Sequence, residues 1–570
     1  MSGRILLEGR LGTLAGAVDA AVARMQAENI VSRIWVGDHT VWKPEPKEIT
    51  NRLGWLKAPA AMKERLEEIE AFVDDVRRSG MRDAVLLGMG GSSLAPEVLS
   101  RMFPARDGFL NLTVLDTTHP QAIARVRKTL DLSKTLFVVS TKSGGTVETL
   151  SLFKYFYNEV SKATGTETAA SRFCAVTDPS SGLETLARSF GFRKIFQNDP
   201  NVGGRYSALT FFGLVPAALL GIDLREMLDR AATMADACRW ENGSTMDRNP
   251  GLWLGAVLGT AAREGRDKVT FFVDPGFANV GDWVEQLLAE STGKEGTGIL
   301  PVVDEPLGEA AAYGPDRLFV TVCDQRSHAK GWAPDPGVLW REAGFPTVSI
   351  TAGGPRDAGA LFFLWEFATV VAGHLLRINP FDQPDVESAK VQAKKMLAAY
   401  KESGRLPELP TAFRWNDLVV MGEAEGSSAP EALRRFADAV ADGGYLGVHA
   451  YVAPSSEVEG ALRSLQKALR DRTKKAVTVG YGPRFLHSTG QLHKGDAGKG
   501  AFIQITDDPS PDLPIPDEAG REGASVSFGT LIAAQALGDR EALLAAGRRV
   551  LRFHITGPVA PTLHALVEAL

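Results

Sequence analysis

Residues 84–96 read Ala84-Val-Leu-Leu-Gly88-Met-Gly90-Gly91-Ser92-Ser93-Leu94-Ala-Pro96. Four apolar residues without a polar interruption predict a strand buried on both faces, as in a parallel sheet. The glycines that follow let the backbone turn sharply and approach a ligand closely. Pro96 suits the first turn of a helix, where a missing N–H costs nothing. Strand, glycine turn and helix start, in that order, make a junction that favours an anion. Apolar runs ending in polar turns recur at Leu112–Leu115, Leu136–Val139 and Phe173–Val176, which predicts a doubly wound α/β unit.

Two ligand classes compete for the turn. A dinucleotide requires G-x-G-x-x-G and an acid closing the next strand. Asp116 supplies the acid, but Ser93 stands where the third glycine belongs. A sugar phosphate gains from a second loop. The run Leu136–Val139 leads into Ser140-Thr141-Lys142-Ser143-Gly144-Gly145-Thr146-Val147-Glu148-Thr149. Hydroxyls at 141, 143 and 146, with free N–H groups ahead of a helix, suit a phosphate. This is no Walker A loop, because G-x-x-x-x-G-K-S/T is absent from it. Either turn alone could be a plain helix cap, whereas two on neighbouring strands favour a phosphosugar.

Upstream of this stretch, Leu14, Val18, Val22 and Met25, then Met62, Leu66, Ile69, Val73 and Val76, recur at helical spacing, and Gly80 stops the second run. Residues 1–80 are therefore expected to form a helical segment and 81–245 the first α/β domain. Val269–Val273, Leu318–Val322 and Thr347–Thr351 predict strands of a second domain over 246–405. A proline-punctuated break at 402–411 leads to a third α/β segment, 406–570. Its candidate strands are Leu418–Met421, Leu446–Val452, Ala476–Val479 and Phe502–Ile505. A strand, a loop and an apolar helix occur at both 347–376 and 502–537, a faint internal echo.

A chain of 570 residues exceeds what one core can hold. Its net charge of −6 argues against a nucleic-acid partner. Cys174, Cys238 and Cys323 are few and scattered, which suits a reducing compartment. Met1 to Arg10 already carry charge, and no stretch reaches the ~18 uninterrupted apolar residues of a membrane span. A cytoplasmic location, away from membranes, is expected. The histidines show no HxxxH or HExxH spacing, so no metal is expected, and no redox cofactor.

The two loops together resemble the sugar isomerase (SIS) fold of the glucose-6-phosphate isomerase family. In that family a GIGGS-type turn meets the sugar and an SKT…T-x-E-T loop holds the phosphate. The resemblance assigns Gly90, Gly91, Ser92, Thr141, Lys142, Ser143 and Thr146 to sugar-phosphate contacts. Thr141 replaces the usual serine here, and Gly144-Gly145 replace bulkier residues. Val202-Gly-Gly-Arg205-Tyr-Ser207 resembles V-G-G-R-F/Y-S, which supplies an arginine to the site. Glu290-Ser-Thr-Gly-Lys294 resembles E-S-x-G-K, which opens on the catalytic glutamate. Asn379-Pro-Phe-Asp-Gln383-Pro-Asp-Val-Glu387-Ser-Ala-Lys390 is close to NPFDQPGVE-x-x-K. With Gly480-Tyr-Gly-Pro-Arg484-Phe-Leu-His487-Ser-Thr-Gly-Gln-Leu-His493-Lys-Gly495 downstream, the whole chain looks most like the isomerase half of bifunctional transaldolase/glucose-6-phosphate isomerase proteins. The resemblance implies two SIS-like doubly wound parallel sheets flanked by helices, plus an additional C-terminal α/β segment. It also implies a homodimer, an association with a separate transaldolase, and a place in glycolysis and gluconeogenesis.

Aldose–ketose isomerisation moves a proton between adjacent carbons through a cis-enediolate. It needs one base reaching both carbons, a cation for the oxyanion, and groups that open the ring. Glu290, at the end of the run Trp283, Val284, Leu287, Leu288, is the expected base. Arg205 is expected to stabilise the enediolate, and Lys390 and Gln383 to bind ring and phosphate oxygens. The ring-opening histidine of the family follows its glutamate closely, but residues 291–327 contain none. His328 lies in DQRSHAK without family context, and the family's L-H-S-x-G-Q reappears at 486–491. His487 is therefore the first candidate and His493 the second. An isomerase of another aldose phosphate, such as mannose 6-phosphate, would use the same residues. A non-catalytic phosphosugar-sensing module would lack the base and the arginine, and both are present.

Overall fold

The computed structural model describes residues 5–239, 249–325 and 336–570. His328 lies outside the described residues. Strands Asn111–Leu115, Asp83–Leu87, Thr135–Ser140, Phe173–Thr177 and Lys194–Gln197 lie side by side in that order, all parallel. Numbered along the chain, the order is 2-1-3-4-5. Val85, Leu87, Phe137 and Val139 enter one apolar layer, and Ala84, Leu86, Leu136 and Val138 enter the opposite one. Burial on both faces is why these strands read as unbroken apolar runs. The winding reverses between the first and third strands, which opens a crevice at their carboxyl ends. The glycine turn and the hydroxyl-rich loop are the two segments that leave those strands.

A second sheet contains parallel strands Thr347–Ala352, Arg317–Asp324, Lys268–Val273 and Leu300–Val302. Leu6–Arg10 joins it antiparallel, from Leu6 opposite Thr351 to Arg10 opposite Thr347. The N-terminal segment, expected to be helical, thus opens with an edge strand. Helices Ala15–Ala27 and Leu66–Arg78 follow the predicted spacing and bury Val18, Met25, Leu66, Ile69, Val73 and Val76. One apolar core runs through these helices, one face of the first sheet and the second sheet. At its centre is helix Ala358–Leu376, packed on helices Pro250–Arg263 and Leu224–Ala237. The stretch Pro355–Leu376 is long and apolar enough to cross a membrane, yet it is buried within the protein. Burial pushes the Glu366 carboxyl at its middle well up, which favours the neutral form there.

The third sheet runs Thr411–Trp415, Leu418–Met421, Arg549–Ile555, Gly500–Asp507, Tyr445–Tyr451 and Ala476–Tyr481. Its first two strands are antiparallel and the other four parallel. One face is apolar: Leu446, Val448, Ile503, Ile505, Leu551 and Phe553 pack with Leu433, Leu462 and Leu563 from helices. The opposite face places His449, Gln504 and Arg552 beneath helix Phe528–Ala545. Phe528 and Leu531 of that helix also enter the apolar layer of the first sheet. The third sheet therefore docks through a face that is polar beside the crevice and apolar where Tyr445, Ala476 and Phe502 meet Leu300 and Val302 of the second sheet.

Candidate functional site

Close backbone packing builds the site. Gly90 has a left-handed φ of 56°, and a Cβ there would lie 2.8 Å from the His487 carbonyl oxygen. A Cβ on Gly91 would lie 2.1 Å from the Gly204 carbonyl oxygen. Glycine is thus required for the first turn, Val202–Ser207 and the His487 loop to meet. Ser92 is buried in the same turn. Ser93 donates to Asp116 at 3.1 Å, so the acid that suggested a dinucleotide instead braces the turn.

Arg205 is buried, and four of its five N–H groups donate hydrogen bonds. Nε donates to Ser291 Oγ at 2.7 Å, and Nη2 to the carbonyls of Pro380 at 2.7 Å and Asp382 at 2.9 Å. Nη1 reaches Gln383 Oε1 at 3.0 Å and Glu290 Oε1 at 3.2 Å. The guanidinium is locked before any substrate arrives. Glu290 sits near the end of helix Val280–Thr292 with 12 % of its side chain exposed, enough to meet a ligand. Gln286, one turn earlier, donates to Glu290 Oε2 at 3.0 Å and to the His487 carbonyl at 2.7 Å. Lys294 binds the Asn379 carbonyl at 3.0 Å and both the carbonyl and carboxylate of Asp382. Burial lowers its ammonium to about 8. The lysine closing Glu290–Lys294 thereby fastens the loop that presents Gln383.

His487 comes from the third segment, in the short turn Arg484–His487. Its Nε2 lies 3.0 Å from Glu148 Oε1, at the start of helix Val147–Thr164. Gln535 donates to the same carboxylate oxygen at 2.7 Å and accepts from Thr118 at 2.9 Å. Burial drives the Glu148 carboxyl up, but the His487 charge and hydrogen bond, with Lys390 farther off, leave it below the usual range. Lys390 pairs with Glu387 at 2.8 Å on a half-exposed stretch of helix Val386–Ser403.

In the second loop, Thr141 and Thr146 hydroxyls lie 3.0 Å apart, and Ser143 accepts from the Gly145 N–H at 3.2 Å. Thr146 makes no side-chain cap to helix Val147–Thr164, and the Thr149 hydroxyl is buried without a partner. A helix start of this kind favours an anion. Lys142 is turned to Asp178 and to the Pro200 carbonyl at 3.0 Å. Gly144, with φ +74°, packs where a Cβ would lie 2.1 Å from Leu183 N.

The structure does not bring His493 to this group. It is buried in the third segment, with Nδ1 3.2 Å from His449 Nε2 and rings of Phe485 and Phe502 around it. Burial holds its pKa well below the usual histidine value. Sequence reading gave no role to Glu148, Gln286, Ser291 or Gln535. Glu148 stands inside the quoted hydroxyl-rich loop and Gln286 one helical turn before Glu290, so both had a local signal; Gln535 had none. Among the described residues, no three His, Cys, Asp or Glu side chains form a group that could hold a metal ion.

A carboxylate–arginine pair beside a glycine turn and a hydroxyl-rich loop, at the switch point of a parallel sheet, defines a sugar-phosphate isomerase of the SIS class. The model described as "Phosphoglucose isomerase" matches residues 56–305. A glucose-6-phosphate isomerase of Carboxydothermus hydrogenoformans is 30% identical over 406 residues, which span 62% of this chain and 86% of that protein. One from Cyanothece is 31% identical over 411 residues, 62% of this chain and 76% of its own. The chain belongs to the phosphoglucose isomerase family. Among solved structures, a hypothetical protein from Thermus thermophilus superposes with a TM-score of 0.57 at 25% identity, over 69% of this chain and all of that one. A glucose-6-phosphate isomerase from Chlamydia trachomatis gives 0.59 at 18% identity, over 70% of this chain and 89% of its own, and shares the fold.

Proposed function

We infer that this chain interconverts glucose 6-phosphate and fructose 6-phosphate through a cis-enediolate. It is an aldose–ketose isomerase, and the residue roles that follow are our proposal. The phosphate rests at the start of helix Val147–Thr164, against Thr141, Ser143 and Thr146, which supply hydroxyls and N–H groups. The sugar lies along Gly90–Ser92. His487, oriented by Glu148, moves the proton that opens the ring. Lys390 adds positive charge at the mouth. Glu290 then takes the proton from C2 of the open-chain aldose and returns it to C1 of the enediolate. The oxyanion takes the Nη1 N–H of Arg205 that is not bonded to Gln383, beside Glu290, next to a charge already held in place.

The observation that carries this reading is the ion pair of Glu290 with the immobilised Arg205 at 3.2 Å, on the crevice between the two loops. A coupled assay from fructose 6-phosphate tests it. Wild type is expected to turn over, and Glu290→Gln to lose on the order of 10³-fold or more in kcat, as expected for removal of a positioned base. A variant that keeps near-normal rate would falsify the assignment. A homodimer and association with a separate transaldolase belong to the same proposal, as does a cytoplasmic location; sedimentation velocity, alone and with a transaldolase, reads the first two.

A further inference from the structure

Three residues before His487, Arg484 reaches out of the third segment and contacts three acids on three elements of the rest of the chain. Its guanidinium pairs with Glu97, lies 3.4 Å from Asp116 and lies 3.7 Å from Asp282. Glu97 belongs to helix Leu94–Met102, which begins where the glycine turn ends. Asp116 closes strand Asn111–Leu115 and holds Ser93 of that turn. Asp282 lies two turns before Glu290 on helix Val280–Thr292. One side chain thus ties the His487 turn to the elements that present the sugar-binding turn and the base.

Phe485 and Leu486 pack the turn against Tyr451, Ile532 and Ala536 of its own segment, whereas the Arg484 contacts reach the first two sheets. Arg484, Phe485 and Ser488 border a cleft of about 670 Å³ between the three sheets, with Glu97, Asp116 and Asp282 on its other walls. The turn is fixed on its far side by the Gln286 bond to the His487 carbonyl. We propose that Arg484 is a positioning residue for catalysis, holding the His487 turn at the distance from Glu148 and the sugar site at which ring opening occurs. This deepens the proposed function, since it rests on the ring-opening role of His487. A guanidinium suits the task because its fixed fork can serve three carboxylates at once, which a lysine ammonium does with less directional control.

The test compares steady-state kinetics of the full chain as wild type, Arg484→Met, Arg484→Lys, His487→Ala and Arg484→Met/His487→Ala. A displaced catalytic group costs roughly 10- to 100-fold; Arg484→Met is expected to lower kcat by that much with KM nearly unchanged, and Arg484→Lys to recover part of the loss. In the His487→Ala background the same change is expected to cost less than about 3-fold, the signature of two residues acting as one. Equal losses in both backgrounds overturn the proposal, as does an unchanged kcat in Arg484→Met when His487→Ala is impaired. A wild-type rate in His487→Ala instead overturns the role of His487 itself. Should Arg484→Met not fold, Glu97→Gln and Asp282→Asn remove its partners singly. Each is expected to lower kcat several-fold and to lose that effect in the His487→Ala background; unchanged rates in both overturn the proposal.

Discussion

A buried carboxylate without a cation is costly, and Glu148 meets that cost by its bond to His487. Because its pKa is held below the usual glutamate range, the stabilisation is intact above that range and lost as pH falls on through the lower folded pKa. The two side chains form one unit. His487→Ala is expected to lower kcat about 10²-fold, the usual worth of a positioned acid or base. Glu148→Gln should lower it comparably, and the double variant little further, as a coupled pair does. Steady-state kinetics on the three proteins decides this, and simple additivity would separate the two residues. His493→Ala should behave otherwise: emptying a buried ring site costs on the order of 3 kcal/mol in urea unfolding, while kcat per folded molecule stays near wild type. The glycine turn and hydroxyl-rich loop were legible because each is determined by neighbours in sequence. The His487–Glu148 contact joins residues 339 positions apart, and nothing local marks it. His493 was a reasonable second candidate only because it shares the quoted stretch; helix Gly490–Gly495 carries it inward.

Helix Val280–Thr292 presents Glu290 to the site and two more acids, Asp282 and Glu285, to the cleft. Burial raises Asp282 to about 7; burial and then the Asp282 charge raise Glu285 to about 8. Groups with raised folded pKa bind more protons folded than unfolded, so their effect on stability worsens as pH rises to the folded pKa. Glu285→Gln is accordingly expected to raise the urea midpoint at pH 9 and to change it little at pH 5. A shift of equal size at both pH values would mean that charge is not the cause. Elements with one chemistry throughout were the legible ones: the doubly buried strands of the first sheet and the amphipathic helices Ala15–Ala27 and Leu66–Arg78. Arg549–Ile555 escaped notice because Arg552 and His554 interrupt its apolar residues, as the polar face of the third sheet requires. Leu6–Arg10 lies half-exposed on a sheet edge and has no apolar run to read. Leu300–Val302 is too short to show a pattern.

At the scale of the molecule, catalysis is a meeting of three sheets. The first supplies the sugar and phosphate turns together with Glu148, the second supplies the helix of Glu290, and Arg205 bridges both through Ser291 and Gln383. The third reaches in with His487 from one side and with Gln535 from another. The parallel α/β character of each region was legible from its strands, but their mutual placement was not. It depends on contacts such as Thr118 to Gln535, 417 residues apart, which no window along the chain can hold. One consequence is specific to this arrangement. Glu290, Arg205, Glu148 and His487 all come from a single chain, so the proposed chemistry needs no side chain from a second copy. Specific activity is therefore expected to stay constant on dilution from micromolar to low nanomolar, whatever self-association occurs at the upper end. The measurement pairs a dilution series in the coupled assay with sedimentation velocity over the same range. Activity that falls in step with dissociation would show that a second copy completes the site, whereas a flat profile through dissociation leaves the third sheet of the same chain in that role.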